Sequence, residues 1–157
     1  YIRTCQGTRA GHPIHPLYAH RIVAGALIGE AVDAYAAGRY EEAYNLYKTV
    51  AATPSGRQLR TWSGLYLTSM RLRRPDEAAR AFGQLVDQGL EAKKLGVKFL
   101  FRPGSTGFAT DPRLPQPYPM WLREIASAAQ KRQACLELVG HTSATGPEPV
   151  NERLSLL

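Results

Sequence analysis

The sequence predicts a mainly α-helical fold in which helical hairpins are followed by a smaller, partial α+β unit of β-α-β type. Three observations lead to this prediction. Apolar residues recur at helical spacing through residues 19–94, and two segments there match at an offset of 35 residues. From residue 95 the apolar spacing changes to the alternation of period two that is typical of strands. We therefore divide the chain into an irregular segment 1–18, helical repeats 19–94 and a unit 95–157.

The composition is that of a basic globular protein. The chain has 157 residues, with 20 Lys and Arg against 13 Asp and Glu, which gives a net charge of +7. A surplus of this sign favours anionic partners. The longest apolar run covers residues 22–28, whereas a membrane-spanning helix needs about 20 apolar residues. The sequence thus predicts no transmembrane span.

The first predicted hairpin joins two helices at a glycine. The stripe of the first helix repeats every fourth residue and consists of Val23, Leu27, Ala31 and Tyr35. Gly38 is expected to end this helix, as glycine does at many helix C-termini. The second helix is expected from about Tyr40 to the breaking sequence Thr53-Pro54-Ser55-Gly56.

The second predicted hairpin, over residues 58–90, repeats this design. Its first helix is lined by Leu59, Trp62, Tyr66 and Met70. The turn is expected at Arg73-Arg74-Pro75-Asp76, with Asp76 as the N-cap of the next helix. The apolar side of that helix consists of Ala78, Phe82, Leu85, Val86 and Leu90.

The two hairpins are related by a period of 35 residues. Ala43 and Ala78 each follow an acidic pair, and each precedes an aromatic residue by four positions, Tyr47 and Phe82. A helix–turn–helix period near 34 resembles tetratricopeptide repeats. The segment Gly38-Arg39-Tyr40-Glu41-Glu42-Ala43 matches the second half of that repeat, although Ala34 replaces its usual aromatic residue.

The tetratricopeptide resemblance implies a protein-binding role. In such repeats a concave groove, formed mainly by the first helix of each pair, takes up the partner. By this resemblance we expect an unidentified envelope protein as partner, bound near Glu30, Asp33 and Tyr66. A generic four-helix array with the same packing logic is the alternative.

The unit 95–157 alternates strands and helices. Strands are predicted at residues 97–101 and 134–139, with a helix at residues 120–130 between them. A proline-rich loop precedes that helix, and a further helix is expected from about Glu148. Two strands joined by a helix make a β-α-β unit.

A motif in this unit carries the second resemblance. Gly140-His141-Thr142-Ser143-x-x-Gly146, followed by Asn151-Glu152-Arg153-Leu154-Ser155, resembles the signature of OmpA-like peptidoglycan-binding domains. That family has G-H-T-D-x-x-G and then N-x-x-L-S. The resemblance implies binding rather than catalysis, with peptidoglycan as the ligand and Thr142, Ser143 and Asn151 as ligand-binding residues.

The chain departs from that family at two points. Ser143 occupies the position of the aspartate that, in the family, pairs with the ammonium of the stem-peptide diamino acid. A neutral hydroxyl keeps at best a hydrogen bond to a charged group. The arginine that engages a carboxylate in the family would follow Leu157, so the resemblance covers about the first half of such a domain. We therefore expect weakened peptidoglycan binding, and whether the protein continues past Leu157 stays open.

Other residue clusters have simpler interpretations. The histidines His12, His15 and His20 have no Cys or carboxylate at ligand spacing, so we expect no metal site. His141 beside hydroxyl residues is no evidence of a catalytic triad, and we expect neither enzymatic activity nor a cofactor. The sequence leaves open whether Cys5 and Cys135 form a disulfide.

The densest basic cluster consists of Arg57, Arg60, Arg71, Arg73 and Arg74. We interpret it as solvated helix ends and a turn, because a nucleic-acid surface would interleave aromatic residues with the cations. No nucleic-acid partner is expected.

Two functional readings follow. The first is a cell-envelope protein, in the periplasm or at the periplasmic face of the outer membrane, whose repeats bind a protein while the OmpA-like unit associates with peptidoglycan. The alternative is a pure protein–protein interaction scaffold whose degenerate OmpA-like half no longer binds peptidoglycan. Ser143 favours the alternative, whereas the intact Gly140-His141-Thr142 favours the first.

Overall fold

A computed structural model of the chain describes residues 16–109, 117–140 and 147–156. Six α-helices lie in these residues: α1 Pro16–Ala36, α2 Tyr40–Ala51, α3 Leu59–Arg71, α4 Pro75–Glu91, α5 Tyr118–Arg132 and α6 Glu148–Leu156. The predicted mainly helical fold is confirmed. The chain forms two compact units, residues 1–88 and 89–157, so the division falls inside α4 and six residues before the predicted one.

Both hairpin turns use the same backbone conformation. Gly38 and Arg73, 35 residues apart, have φ of 77° and 57°. In each turn the next residue donates its N–H to a carbonyl five residues earlier, Arg39 to Ala34 and Arg74 to Ser69, both at 2.9 Å. This bond is the outer one of the Schellman motif that satisfies the last carbonyls of a helix. The 35-residue relation therefore extends to the backbone of the turns. The prediction that Asp76 caps the next helix is wrong, because α4 begins at Pro75 and Asp76 lies within its first turn.

Small residues let the helices of the first unit approach closely. Its buried core consists of Ala24, Ile28, Ala31, Ala34, Ala43, Tyr44, Tyr47, Val50, Leu65 and Ala81. Ala43 and Ala78, the two alanines of the period, are completely buried. Burial of a methyl group in place of a long side chain shortens the distance between helix axes.

The buried face of α1 differs from the predicted stripe. Ala24, Ile28, Ala31 and Ala34 are buried, whereas Val23 is only partly buried. Helix α1 is apolar on both sides, since Ile22 and Val32 keep 47% and 43% of their surface exposed. Because apolar side chains lie on the exposed side of this helix as well, apolar spacing does not identify which face is buried.

Two glycines mark the closest backbone approaches. Gly56 ends the short 3-10 turn Pro54–Gly56, where its Cα faces the backbone of Val50. Gly64 on α3 lies against the ring of Tyr47 on α2. The Thr53 hydroxyl donates to the Val50 carbonyl at 2.8 Å and accepts from the Gly56 N–H at 3.1 Å. The predicted break at residues 53–56 is confirmed.

Ionisation of the buried Tyr47 phenol makes the stability of the fold depend on pH in the alkaline range. Burial raises its pKa, partly opposed by the charge of Arg60, and the neighbouring Tyr35 raises it further. The folded state thus holds the proton more tightly than the unfolded state, so this contribution is complete below about pH 10 and is lost as pH rises through the folded pKa. We expect Tyr47→Phe to make the loss of melting temperature above about pH 10 shallower than in the parent.

The Arg60→Gln variant tests whether the charge of Arg60 lowers the Tyr47 pKa. Removing the nearby positive charge should raise the Tyr47 pKa further, so the alkaline loss of stability extends to higher pH. Melting curves across the alkaline range would measure both effects. Parallel profiles for the parent and Tyr47→Phe would contradict this assignment.

The second unit is built around α5 and an aromatic cluster. The cluster consists of Phe99, Phe101, Phe108, Tyr118 and Trp121, with ring centroids 4.7 to 6.2 Å apart. Tyr118, the first residue of α5, is 2% exposed, and its hydroxyl accepts the Leu100 N–H at 3.3 Å. The helix predicted at residues 120–130 is thus present and two residues longer at each end.

The β-α-β unit is not confirmed in the described residues. Residues 97–101 and 134–139 form no strand ladder, and the described part of the chain has one isolated bridge, between Phe101 and Phe108. Leu138 is 91% exposed. An alternating apolar pattern becomes a strand only when a neighbouring strand takes up its backbone groups. The order of the segments around α5 is nevertheless the predicted one.

Candidate interaction surface

Arginine and tyrosine side chains meet where α1 and α3 end and α2 and α4 begin. The short turns after α1 and α3 make consecutive helices antiparallel, so these four helix ends lie together. We name this surface the Arg–Tyr corner, and it consists of Tyr35, Tyr40, Glu41, Tyr44, Arg71, Arg73 and Arg74. Side-chain hydrogen bonds between its members join residues 33 and 36 positions apart in the chain.

Arg74 connects the two hairpins. Its guanidinium donates to both carboxylate oxygens of Glu41, at 2.8 and 3.1 Å, and lies 4.8 Å from the centre of the Tyr44 ring. A second carboxylate, Glu77, is 3.8 Å away. The hydrogen bond to Glu41 raises the Arg74 pKa. Arg74 is therefore held by carboxylates of both hairpins.

Arg71 has a different environment. Its Nε donates to the Tyr35 hydroxyl at 3.3 Å, and the guanidinium lies 5.8 Å from the centre of the Tyr40 ring. The Tyr35 and Tyr40 rings meet edge to face at 5.2 Å. That hydrogen bond from Arg71 to Tyr35 raises the Arg71 pKa. Among the described residues no carboxylate lies within 4.0 Å of this cation.

The Arg73 side chain is exposed and makes no hydrogen bond or ion pair with the described part of the chain, although its backbone N–H donates to the Met70 carbonyl at 3.2 Å. Arg39, in the first hairpin turn, is paired with Glu42 at 2.7 Å. The surface at this end of the unit therefore holds two neutralised cations, Arg39 and Arg74, and two that lack a carboxylate, Arg71 and Arg73.

The partner-binding residues predicted from the sequence fall into two groups. Glu30 and Asp33 are exposed on neighbouring turns of α1 and make no ion pair with the residues that the structure describes. Tyr66 on α3 is partly buried, with its ring 5.6 Å from that of Phe82 on α4. The two carboxylates thus face solvent, and Tyr66 packs between helices.

The predicted peptidoglycan-binding residues lie largely beyond what the structure describes. Thr142 and Ser143 lie outside the described residues, as do His12 and His15. Asn151 belongs to α6, and its side chain lies outside the described part. The predicted start of this helix near Glu148 is confirmed.

Sequence reasoning grouped Arg71, Arg73 and Arg74 as solvated ends and missed their tyrosine neighbours. The available signal was the period itself. Arg39 with Glu42 and Arg74 with Glu77 repeat the same ion pair at an offset of 35 residues. That symmetry accounts for Arg39 and Arg74, whereas Arg71 and Arg73 correspond to the uncharged Ala36 and Gly38.

Comparison of the chain with protein-family models, with curated proteins and with solved structures finds no match. Of the helices in the described residues, none combines the length and the apolar character needed to cross a membrane. Within the described ranges, no group of three or more His, Cys, Asp or Glu side chains is arranged so that it could hold a metal ion.

Proposed function

We propose that this chain is a non-enzymatic cell-envelope protein, in which the helical hairpins bind a protein partner and the unit from residue 95 associates with peptidoglycan. The observation that carries the proposal is the joining of two 35-residue hairpins to the motif Gly140-His141-Thr142 with its following Asn151 and Leu154. A location in the periplasm or at the periplasmic face of the outer membrane belongs to this proposal.

The hairpins support the partner-binding half. Repeated hairpins present their first helices side by side as an extended surface. Helices α1 and α3 keep large apolar side chains exposed, namely Ile22, Val32, Leu59 and Leu67. Exposed apolar side chains on neighbouring helices are suited to contact with another protein.

The second unit supports the peptidoglycan half through the order of its segments. The stretch at residues 97–101, the helix α5, the stretch at residues 134–139 and the helix α6 follow one another in the order of an OmpA-like unit. The aromatic cluster anchors the first stretch to α5 through Tyr118. In this proposal both stretches become strands when a sheet partner is present.

Co-sedimentation with purified peptidoglycan sacculi tests the proposal. We expect the chain to sediment weakly, and Ser143→Asp to raise its affinity about tenfold, because a carboxylate restores a charged partner for the ammonium. Ser143→Asn is the matched control, because asparagine has nearly the same shape as aspartate but carries no charge. Equal sedimentation of the Asp and Asn variants would contradict the assignment of this pocket.

The second candidate is a pure protein–protein scaffold, and Ser143 at the aspartate position favours it. Under this alternative neither the parent chain nor Ser143→Asp sediments with sacculi. The same sedimentation series therefore separates the two functions.

A further inference from the structure

We infer that Arg71 and Arg73 form a binding site for an acidic segment of a protein partner. This inference rests on the proposed partner-binding role of the hairpins and names the chemistry of the partner. It also moves the binding site from the exposed carboxylates of α1 to the Arg–Tyr corner. The evidence is that neither cation has a carboxylate partner among the described residues, and that Arg71 is oriented by contacts with two tyrosines.

Arg71 is oriented by its neighbours while most of its donors are unused. A guanidinium carries five N–H donors in a planar fork. In Arg71 the Nε is engaged by the neutral Tyr35 hydroxyl at 3.3 Å, and the face lies against Tyr40. The terminal nitrogens make no hydrogen bond with the described residues. A cation oriented in this way is suited to a carboxylate, which can accept two parallel bonds.

Arg73 occupies a backbone position that favours glycine. Its φ of 57° corresponds to that of Gly38, at 77°, in the first hairpin turn. A residue with a side chain is less stable than glycine in this left-handed region. The Arg73 side chain is exposed and makes no contact that would offset this cost. Lys93 and Gln133 have the same left-handed conformation just after α4 and α5, with φ of 52° and 50°, so this conformation alone does not single out Arg73. What Arg73 contributes is an exposed charge without a carboxylate partner, two residues from Arg71.

The surroundings favour a peptide over a nucleic acid. Three carboxylates at this end of the helices, Glu41, Glu42 and Glu77, neutralise Arg39 and Arg74. A continuous chain of phosphates would approach these carboxylates and be repelled. Two separate carboxylates on a peptide would meet only the two cations that lack a partner.

The neighbouring α3 surface adds an apolar contact. Leu67 lies one helical turn before Arg71, hence on the same side of α3, and keeps 46% of its surface exposed. An acidic segment that also carries an apolar side chain would therefore fit Arg71 and Leu67 together. This combination defines the probe for the test.

The test uses the full chain and a fluorescently labelled peptide in which Glu alternates with Leu. Its counterpart has Gln in place of Glu. We expect fluorescence anisotropy to show binding of the Glu peptide that weakens with salt, and no comparable binding of the Gln peptide. Arg71→Gln and Arg73→Gln should each weaken the binding about tenfold.

Two further variants keep the result interpretable. Arg21→Gln removes one positive charge about 21 Å along α1 from Tyr35, and it should leave the affinity unchanged. Arg73→Gly removes the charge while suiting the left-handed backbone. It should weaken peptide binding as much as Arg73→Gln does, while raising the unfolding midpoint. Loss of binding would then not reflect loss of fold.

Three results would overturn the inference. They are equal binding of the Glu and Gln peptides, an unchanged affinity in both arginine variants, and preferential binding of a single-stranded oligonucleotide that depends on Arg71. The sacculus experiment depends on Ser143 and not on this corner. Failure here with sedimentation intact would therefore leave the proposed envelope function standing.

Discussion

Replacing Gly56 with alanine is expected to lower the free energy of unfolding by about 3 kcal/mol, the upper end of the usual cost of overpacking. The added Cβ would overlap the carbonyl oxygen of Val50 and lie 2.5 Å from its Cγ1. A side chain can rotate away from such an overlap, but the backbone at the end of α2 cannot. Relief requires that α2 and the turn separate, which disturbs the Thr53 hydrogen bonds that fix this turn.

Urea unfolding followed by far-ultraviolet circular dichroism measures this effect, and the chain offers a matched control. Gly29→Ala places the same methyl group on exposed α1, where nothing lies within 4 Å. Because alanine favours a helix interior over glycine by about 1 kcal/mol, this variant should be more stable than the parent. Equal stability of Gly56→Ala and Gly29→Ala would show that the close approach at Val50 is absent.

The features that the sequence predicts correctly are local ones. Both hairpin turns, the break at residues 53–56 and the α5 and α6 helices are determined by neighbouring residues such as Gly38 and Pro54. Their backbone hydrogen bonds span at most five positions. Turn and cap chemistry of this range is readable from composition and spacing.

The features that the sequence did not predict depend on contacts between residues far apart in the chain, or on helices whose two sides are similarly apolar. The buried face of α1 was not predicted correctly because Ile22 and Val32 make both sides of that helix apolar. The predicted lining of α3 was also wrong, since Leu59 is 51% exposed and the buried residues of that helix are Thr61, Gly64, Leu65, Thr68 and Ser69. The Arg–Tyr corner was missed because Arg71 meets Tyr35 across 36 positions, and no periodic pattern marks such a pair. Strand pairing at residues 97–101 and 134–139 depends on partner backbone, which an alternating pattern does not specify.

The candidate site shows the same division. The period explains why Arg39 and Arg74 are paired with acids, since each lies three residues before a glutamate. It does not explain Arg71 or Arg73, which are cations beyond the repeated pattern. The fold neither pairs nor buries the charges of Arg71 and Arg73. Binding of an acidic partner would explain why these two arginines are present.

The contact between the hairpins at Gly64 carries the second large effect. A Cβ at this position would overlap the ring carbons of Tyr47, so Gly64→Ala forces that ring out of its place in the core. We expect a net loss of about 2 kcal/mol, since overpacking outweighs the roughly 1 kcal/mol that alanine adds within a helix. Tyr47→Ala alone should cost about 3–5 kcal/mol, because it removes an almost wholly buried aromatic ring.

A double-mutant cycle tests whether the two effects share one contact. In the Tyr47→Ala background the ring is gone, so Gly64→Ala meets no overlap and is expected to be neutral or stabilising. The combined loss should therefore be smaller than the sum of the single losses by about 2–3 kcal/mol. Gly29→Ala with Tyr47→Ala is the control pair, expected to be additive within about 0.5 kcal/mol.

Additivity of Gly64→Ala with Tyr47→Ala would mean that α2 and α3 do not meet at this point. The cycle also bears on the Arg–Tyr corner, because the same helix pair holds Arg74 against Glu41 and Arg71 against Tyr40. If the hairpins are stacked as described, Gly64→Ala weakens binding of the acidic peptide although it changes no charge. Arg21→Gln changes a charge but leaves the stacking of the hairpins intact, so it does not weaken binding of the acidic peptide.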